Sequence, residues 1–239
     1  MSLIIPSFPP KSRSELIFKL EALKGLTRRV QIDLVDGHFA YPASFPYNVD
    51  GTHDSYFTDS HIQSLVKEFE IEIDAMVQES GTEVIPFIEN GASRAILHIE
   101  SMENVQASLD ELKRCCDHDK TFDVGLVRIG LALSLSTPIE KLAPYVDQVD
   151  FIQCMGIARI GVQGQPFDER VYDQITEIRK RYPGIPVQID GGITLENAPR
   201  LLSLGVSALL VGSHLWHTED VAGELQKFQV LTEQYGIYE

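Results

Sequence analysis

The chain has 239 residues, with 20 Lys and Arg against 35 Asp and Glu, giving a formal charge of −15. That balance argues against a nucleic-acid partner, because Arg28-Arg29 and Arg179-Lys180-Arg181 read as solvated helix ends and no other basic patch offsets the repulsion of phosphates. At 44% hydrophobic and 23% charged it can bury a substantial core, and its three cysteines (Cys115, Cys116 and Cys154) have neither a disulfide framework nor zinc-ligand spacing.

The N-terminal apolar run, Leu3–Pro6, is too brief for a signal peptide or a membrane span, so a cytoplasmic protein with reduced thiols and no membrane partner is expected. From there, short apolar runs alternate with amphipathic ones. Strands are predicted at Leu3–Pro6, Arg29–Val35, Glu70–Met76, Arg94–Ile99, Val124–Leu133, Val149–Cys154, Pro186–Ile189 and Ala208–Val211. Helices are predicted at Ser14–Leu26, Ser60–Phe69, Glu83–Asn90, Asn104–Cys116, Pro138–Tyr145, Asp168–Arg181, Leu195–Leu204 and Val221–Tyr235. Eight of each in strict alternation, with no linker, predict one α/β domain over residues 1–239, a closed (β/α)8 TIM barrel. The runner-up, an open doubly wound sheet, lacks its glycine-rich first turn, which here reads Ser7-Phe8-Pro9-Pro10. The long connection from Asp36 to Asp59 carries Phe39, Tyr41, Phe45, Tyr47, Tyr56 and Phe57, and reads as a lid or a subunit contact.

The tripeptide Gln-Ile-Asp occurs twice, at Gln31-Ile32-Asp33 and Gln188-Ile189-Asp190, each at a strand end and each soon followed by glycine. Because alternate strand residues share a face, Ile32 and Leu34 pack outward while Gln31 and Asp33 point into the barrel. The same parity sends Glu72 with Asp74, His98 with Glu100, and Gln188 with Asp190 inward. A barrel interior is normally filled by branched apolar side chains, and buried carboxylates are costly unless paired or bonded. Four inward polar pairs therefore mark a site. Gly191-Gly192 and Gly212-Ser213 follow the last two strands, where barrels of this architecture frequently bind phosphate through exposed backbone amides.

Taken together, these residues resemble the ribulose-phosphate 3-epimerase family of ribulose-phosphate-binding (β/α)8 barrels. Ile32-Asp33-Leu34-Val35-Asp36-Gly37-His38-Phe39 is similar to the family's strand-two signature, and Asp190-Gly191-Gly192-Ile193 and Val211-Gly212-Ser213 to those of strands seven and eight. Ile5-Pro6-Ser7 resembles the strand-one segment whose serine contacts substrate, and Met76-Val77 fits the end of strand three. Gly161-Val162-Gln163-Gly164-Gln165 resembles the loop that closes over phosphate. The resemblance implies an isomerase of carbohydrate metabolism that epimerises a phosphorylated ketose, of the pentose phosphate type. Asp33 and Asp190 are then the catalytic acid and base, acting through an enediolate. Ser7, Gly161, Gly164, Gly191, Gly192, Gly212 and Ser213 hold substrate and phosphate.

The chain departs from the pattern at the metal. The family's two ligand histidines are Gln31 and Asp74 here, and His38 lies beyond its strand and replaces neither. An oxygen-rich set of Gln31, Asp33, Asp74 and Asp190 suits magnesium or manganese better than zinc or iron. Alternatively no metal is held, and the three acids raise one another's pKa. Arg159, in the altered strand-six loop, is either a charge stabiliser or a solvated loop residue. The competing function is a catalytically silent member that binds a sugar phosphate as sensor or scaffold. A related barrel decarboxylase is disfavoured, because Glu72-Ile73-Asp74-Ala75-Met76 lacks the lysine of the Asp-x-Lys-x-x-Asp arrangement. By fold analogy a homo-oligomer is expected, with the aromatic loop as candidate contact.

Overall fold

The structure, a computed structural model, describes residues 4–48, 59–118, 127–162 and 164–235, without the side chains of 116–118. Eight strands form a closed parallel barrel in sequence order, β1 pairing with both β2 and β8. They are β1 Ile4–Phe8, β2 Arg29–Val35, β3 Glu70–Met76, β4 Arg94–His98, β5 Arg128–Leu133, β6 Phe151–Met155, β7 Val187–Asp190 and β8 Ala208–Val211. Between and after them run α1 Arg13–Leu23, α2 Ser60–Val66, α3 Ser80–Glu83, α4 Ile85–Glu89, α5 Val105–His118, α6 Arg170–Arg181, α7 Ala198–Ser203, α8 Ser213–Trp216 and α9 Val221–Gln234.

Local chemistry sets several of these boundaries. Ser12 caps α1 by accepting from the Glu15 amide at 3.2 Å, which satisfies one orphan donor of the helix, while the Glu15 side chain accepts from the Lys11 amide and ties down the entering chain. Asp59 and Asp220 cap α2 and α9 in the same way. Two expected helices come out differently. The segment at Pro138–Tyr145 forms only a 3₁₀ turn, Ile139–Leu142, because Pro144 has no amide to extend it. The helix expected at Glu83–Asn90 is split into α3 and α4 at Val84, beside Pro86, whose ring cannot follow an unbroken turn. Helix α8, directly after β8, was not expected.

The main apolar core lies between the strands and the helices, and includes Phe8, Leu20, Ile32, Ile71, Leu97, Ile152 and Leu209. Inside the barrel the apolar side chains form only small clusters, Ile5 with Ala208 and Leu210 on one side and Ile96 with Ala132 and Phe151 on another, with Val35, Met76 and Met155 toward the C-terminal strand ends. Phe151 takes up space that a side chain on β5 would need: a Cβ at Gly130 would overlap its ring, so glycine is required there. Much of the rest of the interior is polar. Gln31, Asp33, Glu72, Asp74, Arg94, His98, Gln153, Gln188 and Asp190 are all buried.

Of the long aromatic connection, Phe45 and Tyr47 are buried against the core and Tyr41 is exposed, while Tyr56 and Phe57 lie outside the described residues. No helix among the described residues is long and apolar enough to cross a membrane. Cys115 and Cys154 are free, and burial pushes the Cys154 thiol up to about 12, which makes it an inert core residue.

Candidate active site

Parallel pairing brings the acids to one level. Asp33 stands opposite Asp74 across β2 and β3, with Gln31 opposite Glu72 one layer below. On the far side Asp190 is paired with Met155, and Gln188 with Gln153. Above this layer, at the C-terminal ends of the strands, a single cleft is lined by Ser7, Asp33, Asp190, Gly161, Gly164, Gly191, Gly192, Gly212 and Ser213. All nine residues expected for catalysis and phosphate binding thus meet in one place. Met76 and Met155 supply apolar walls beside the two aspartates.

The glycines there are needed for their backbone. Gly191 and Gly192 have φ of 102° and 70°, and a Cβ on Gly192 would lie 2.9 Å from the Phe167 backbone. Gly161 also has positive φ, and a Cβ there would meet that of Ala40 at 2.7 Å, so the β6 loop rests directly on the β2 loop. Phe39 and Ile160 pack on Val35, Ala40 and Met76 at this contact, forming an apolar roof at the edge of the cleft. Asp36 ties the roof down. Its Oδ1 accepts from the amides of His38 and Phe39, and its Oδ2 accepts from the Gln78 amide at 2.8 Å on the neighbouring loop.

The acids themselves are electrostatically strained. Burial, and then the charge of Asp74, push the Asp33 carboxyl up to about 8, against a smaller opposing effect of its hydrogen bond from Gln31 and the charge of Lys19. Asp190 is raised well above the usual carboxylate range by burial and by Asp33 and Asp74, opposed by the Gly191 amide. At neutral pH the two therefore retain proton between them, and the titration belongs to the pair.

Gln31 and Asp74, the positions expected to complete a metal site, lie beneath the cleft and are engaged in hydrogen bonds. Gln31 directs its amide nitrogen at Asp33 Oδ1 (2.9 Å), and its Oε1 has no hydrogen-bond partner. Asp74 pairs with His98 Nε2 through Oδ1 and accepts from Gln153 Nε2 through Oδ2, each at 2.9 Å. Among the described residues no group of three His, Cys, Asp or Glu is arranged to hold a metal ion. The donor set named from the sequence therefore does not fit one as it stands, since an amide nitrogen is not a ligand and both Asp74 oxygens face hydrogen-bond partners.

Two interior residues escaped the sequence reading. Gln153 is the one polar side chain in Phe151–Met155, and Arg94 shares the parity of His98; the period-two rule would have found both. Glu100, expected inward, lies just past β4, where its Oε1 accepts from the Ser134 amide at 2.9 Å. His38 and the Arg159 side chain are exposed, and the backbone of Arg159 is bonded by the Gln165 side chain within its own loop.

Fold and site together define a (β/α)8 barrel whose buried acid pair sits under a glycine-lined mouth. A sequence profile described as the Ribulose-phosphate 3 epimerase family matches residues 4–216. The chain belongs to that family, a family of isomerases. It is 26% identical over 215 residues to the ribulose-phosphate 3-epimerase of Chlamydia pneumoniae, covering 87% of this chain and 84% of that protein. It is 26% identical over 192 residues to the cytoplasmic isoform of rice (Oryza sativa subsp. japonica), covering 78% and 75%. Among solved structures, 3-keto-L-gulonate-6-phosphate decarboxylase from Vibrio cholerae superposes with a TM-score of 0.66 at 11% identity, over 98% of each chain, which shows the shared fold.

Proposed function

We propose that this chain epimerises a phosphorylated ketose at the carbon beside its carbonyl, with Asp33 and Asp190 as the proton-transfer pair. The observation that carries the reading is the pairing of two buried carboxyl groups, both with raised pKa, in one cleft with seven serine and glycine residues suited to a phosphate. Inversion of a carbon acid requires one group that takes a proton from one face and another that returns one to the opposite face. With both carboxyls held above the usual carboxylate range, the member that has given up its proton serves as base and its neutral partner as acid, in either direction. The neutral member can also donate a hydrogen bond to the developing enediolate oxygen, a role for which a carboxyl must stay protonated. Glycine amides and the hydroxyls of Ser7 and Ser213 fix the phosphate, and the methionine walls keep bulk water from the intermediate. A cytoplasmic setting and self-association belong to the same reading.

The test is a coupled epimerisation assay on ribulose 5-phosphate. Turnover that disappears in both Asp33→Asn and Asp190→Asn supports the mechanism; full rates in both variants reject it. A second reading, a silent binder of sugar phosphates, is favoured by the absence, among the described residues, of any basic side chain lining the cleft to stabilise the enediolate. Saturable binding of ribulose 5-phosphate without turnover of any ketose phosphate would decide for that reading.

A further inference from the structure

Below the cleft floor runs a hydrogen-bond chain that the proposed proton transfer does not use. It begins with Arg94 at the lower end of β4, whose guanidinium lies 4.0 Å from the centroid of the Phe151 ring and whose Nε donates to Glu72 Oε2. Glu72 Oε1 accepts from Gln188 Nε2 at 2.9 Å, and the same amide group also donates to Gln153 Oε1 at 2.8 Å. Gln153 Nε2 in turn donates to Asp74 Oδ2, and His98 Nε2 pairs with Asp74 Oδ1. The chain crosses the barrel from β4 through β3, β7 and β6 and returns to β3. Along it every carboxylate oxygen faces a hydrogen-bonding nitrogen.

This arrangement disagrees with what the family resemblance implies for the same positions. An ion bound at Asp74 would approach the oxygens that Gln153 and His98 now face. Displacing those groups would leave the Gln153 amide with only its 3.6 Å contact to Met155 Sδ, and would take from the buried His98 ring the partner of its Nε2 while Nδ1 already has none. Gln31 would also have to turn its amide over and give up its bond to Asp33. The chemistry at the site's floor is that of a polar network in which every Glu72 and Asp74 oxygen is engaged while His98 Nδ1 has no partner.

We propose that this network stands where a divalent ion would otherwise sit: Asp74 is the upper anchor of a chain running down to Arg94, and the acid layer is assembled without metal. Gln153 and Gln188 are positioning residues in it, with no contact to substrate. The proposal concerns the same cleft as the epimerase reading but does not depend on which sugar is turned over.

The experiment uses the full chain, stripped with chelator and then titrated with magnesium, manganese or zinc, and read by thermal denaturation and by calorimetry in the absence of sugar. The expected result is no saturable binding and a Tm unchanged within a degree. Saturable one-to-one binding of any of the three that disappears in Asp74→Asn overturns the proposal. In parallel, Gln153→Met and Arg94→Met are made singly and together. Because both sever the same chain, their Tm losses should fall well short of adding; strictly additive losses would show that the chain does not act as a unit, and would overturn that part. If either variant fails to fold, the wild-type titration still decides. A metal-free protein that turns over no ketose phosphate leaves this inference standing and removes the epimerase reading. A metal-binding protein that is active does the reverse.

Discussion

Replacing Asp33 with asparagine should stabilise the protein while destroying its activity, and the size of the gain follows from the pKa. In the folded state the Asp33 carboxyl titrates at about 8, against 3.8 for an ordinary aspartate. Between those values the native state holds a proton that the unfolded chain releases. Stability therefore falls as pH rises through this window, by about 1.4 kcal/mol per unit for the full difference in bound proton. By pH 7 the accumulated cost is on the order of 4 kcal/mol, an upper figure because Asp190 shares the titration. The substituted asparagine would carry no proton to lose, and its amide oxygen can still accept from Gln31 Nε2. Guanidinium denaturation of both proteins across pH 4 to 8 is the assay. The two should be nearly equal near pH 4, where the unfolded aspartate is only beginning to lose its proton, and the variant should lead increasingly up to about pH 8. A gap that is absent at neutral pH, or that does not change with pH, would refute the argument that burial and Asp74 strain this carboxyl.

Three further outcomes are expected. Gly212→Asp sets a negative charge on the cleft at the end of β8 and should weaken binding of ribulose 5-phosphate by at least about tenfold, about 1.4 kcal/mol, in calorimetry; unchanged affinity would put the phosphate elsewhere. Gly130→Ala drives a methyl into the Phe151 ring and should cost about 1–3 kcal/mol in urea denaturation, much of it recovered in a double variant with Phe151→Leu. A loss below the error of the measurement would mean the ring moves aside freely. Asp36→Ala removes the acceptor of three backbone amides on two loops, so hydrogen exchange at His38, Phe39 and Gln78 should speed up markedly while exchange in β2 and β3 stays slow. Unaltered exchange at those amides would show that the apolar contacts alone hold the roof.

Much of the fold was legible because it is written in local periodicity. The strands Arg29–Val35, Glu70–Met76 and Ala208–Val211 run between the residues that pattern alone indicates, and the alternation of eight strands with helical segments defines the barrel. The inward direction of Gln31, Asp33, Glu72, Asp74, His98, Gln188 and Asp190 followed from parity, a property of each strand by itself. The apolar period predicts unbroken helices at Pro138–Tyr145 and Glu83–Asn90, but a proline within each interrupts the amide ladder.

What the sequence determined by itself, then, is which side chains face the interior and which turns must be glycine, since both depend on residues adjacent in the chain. Tertiary structure decided who meets whom. Pairing of β2 with β3 sets Asp33 beside Asp74, and closure of the barrel brings in Asp190, raising the pKa of Asp33 and Asp190, and joins Arg94 on β4 to Asp74 on β3 by way of β7 and β6. Burial and charge are sums over neighbours brought from distant parts of the chain, and no local pattern contains them.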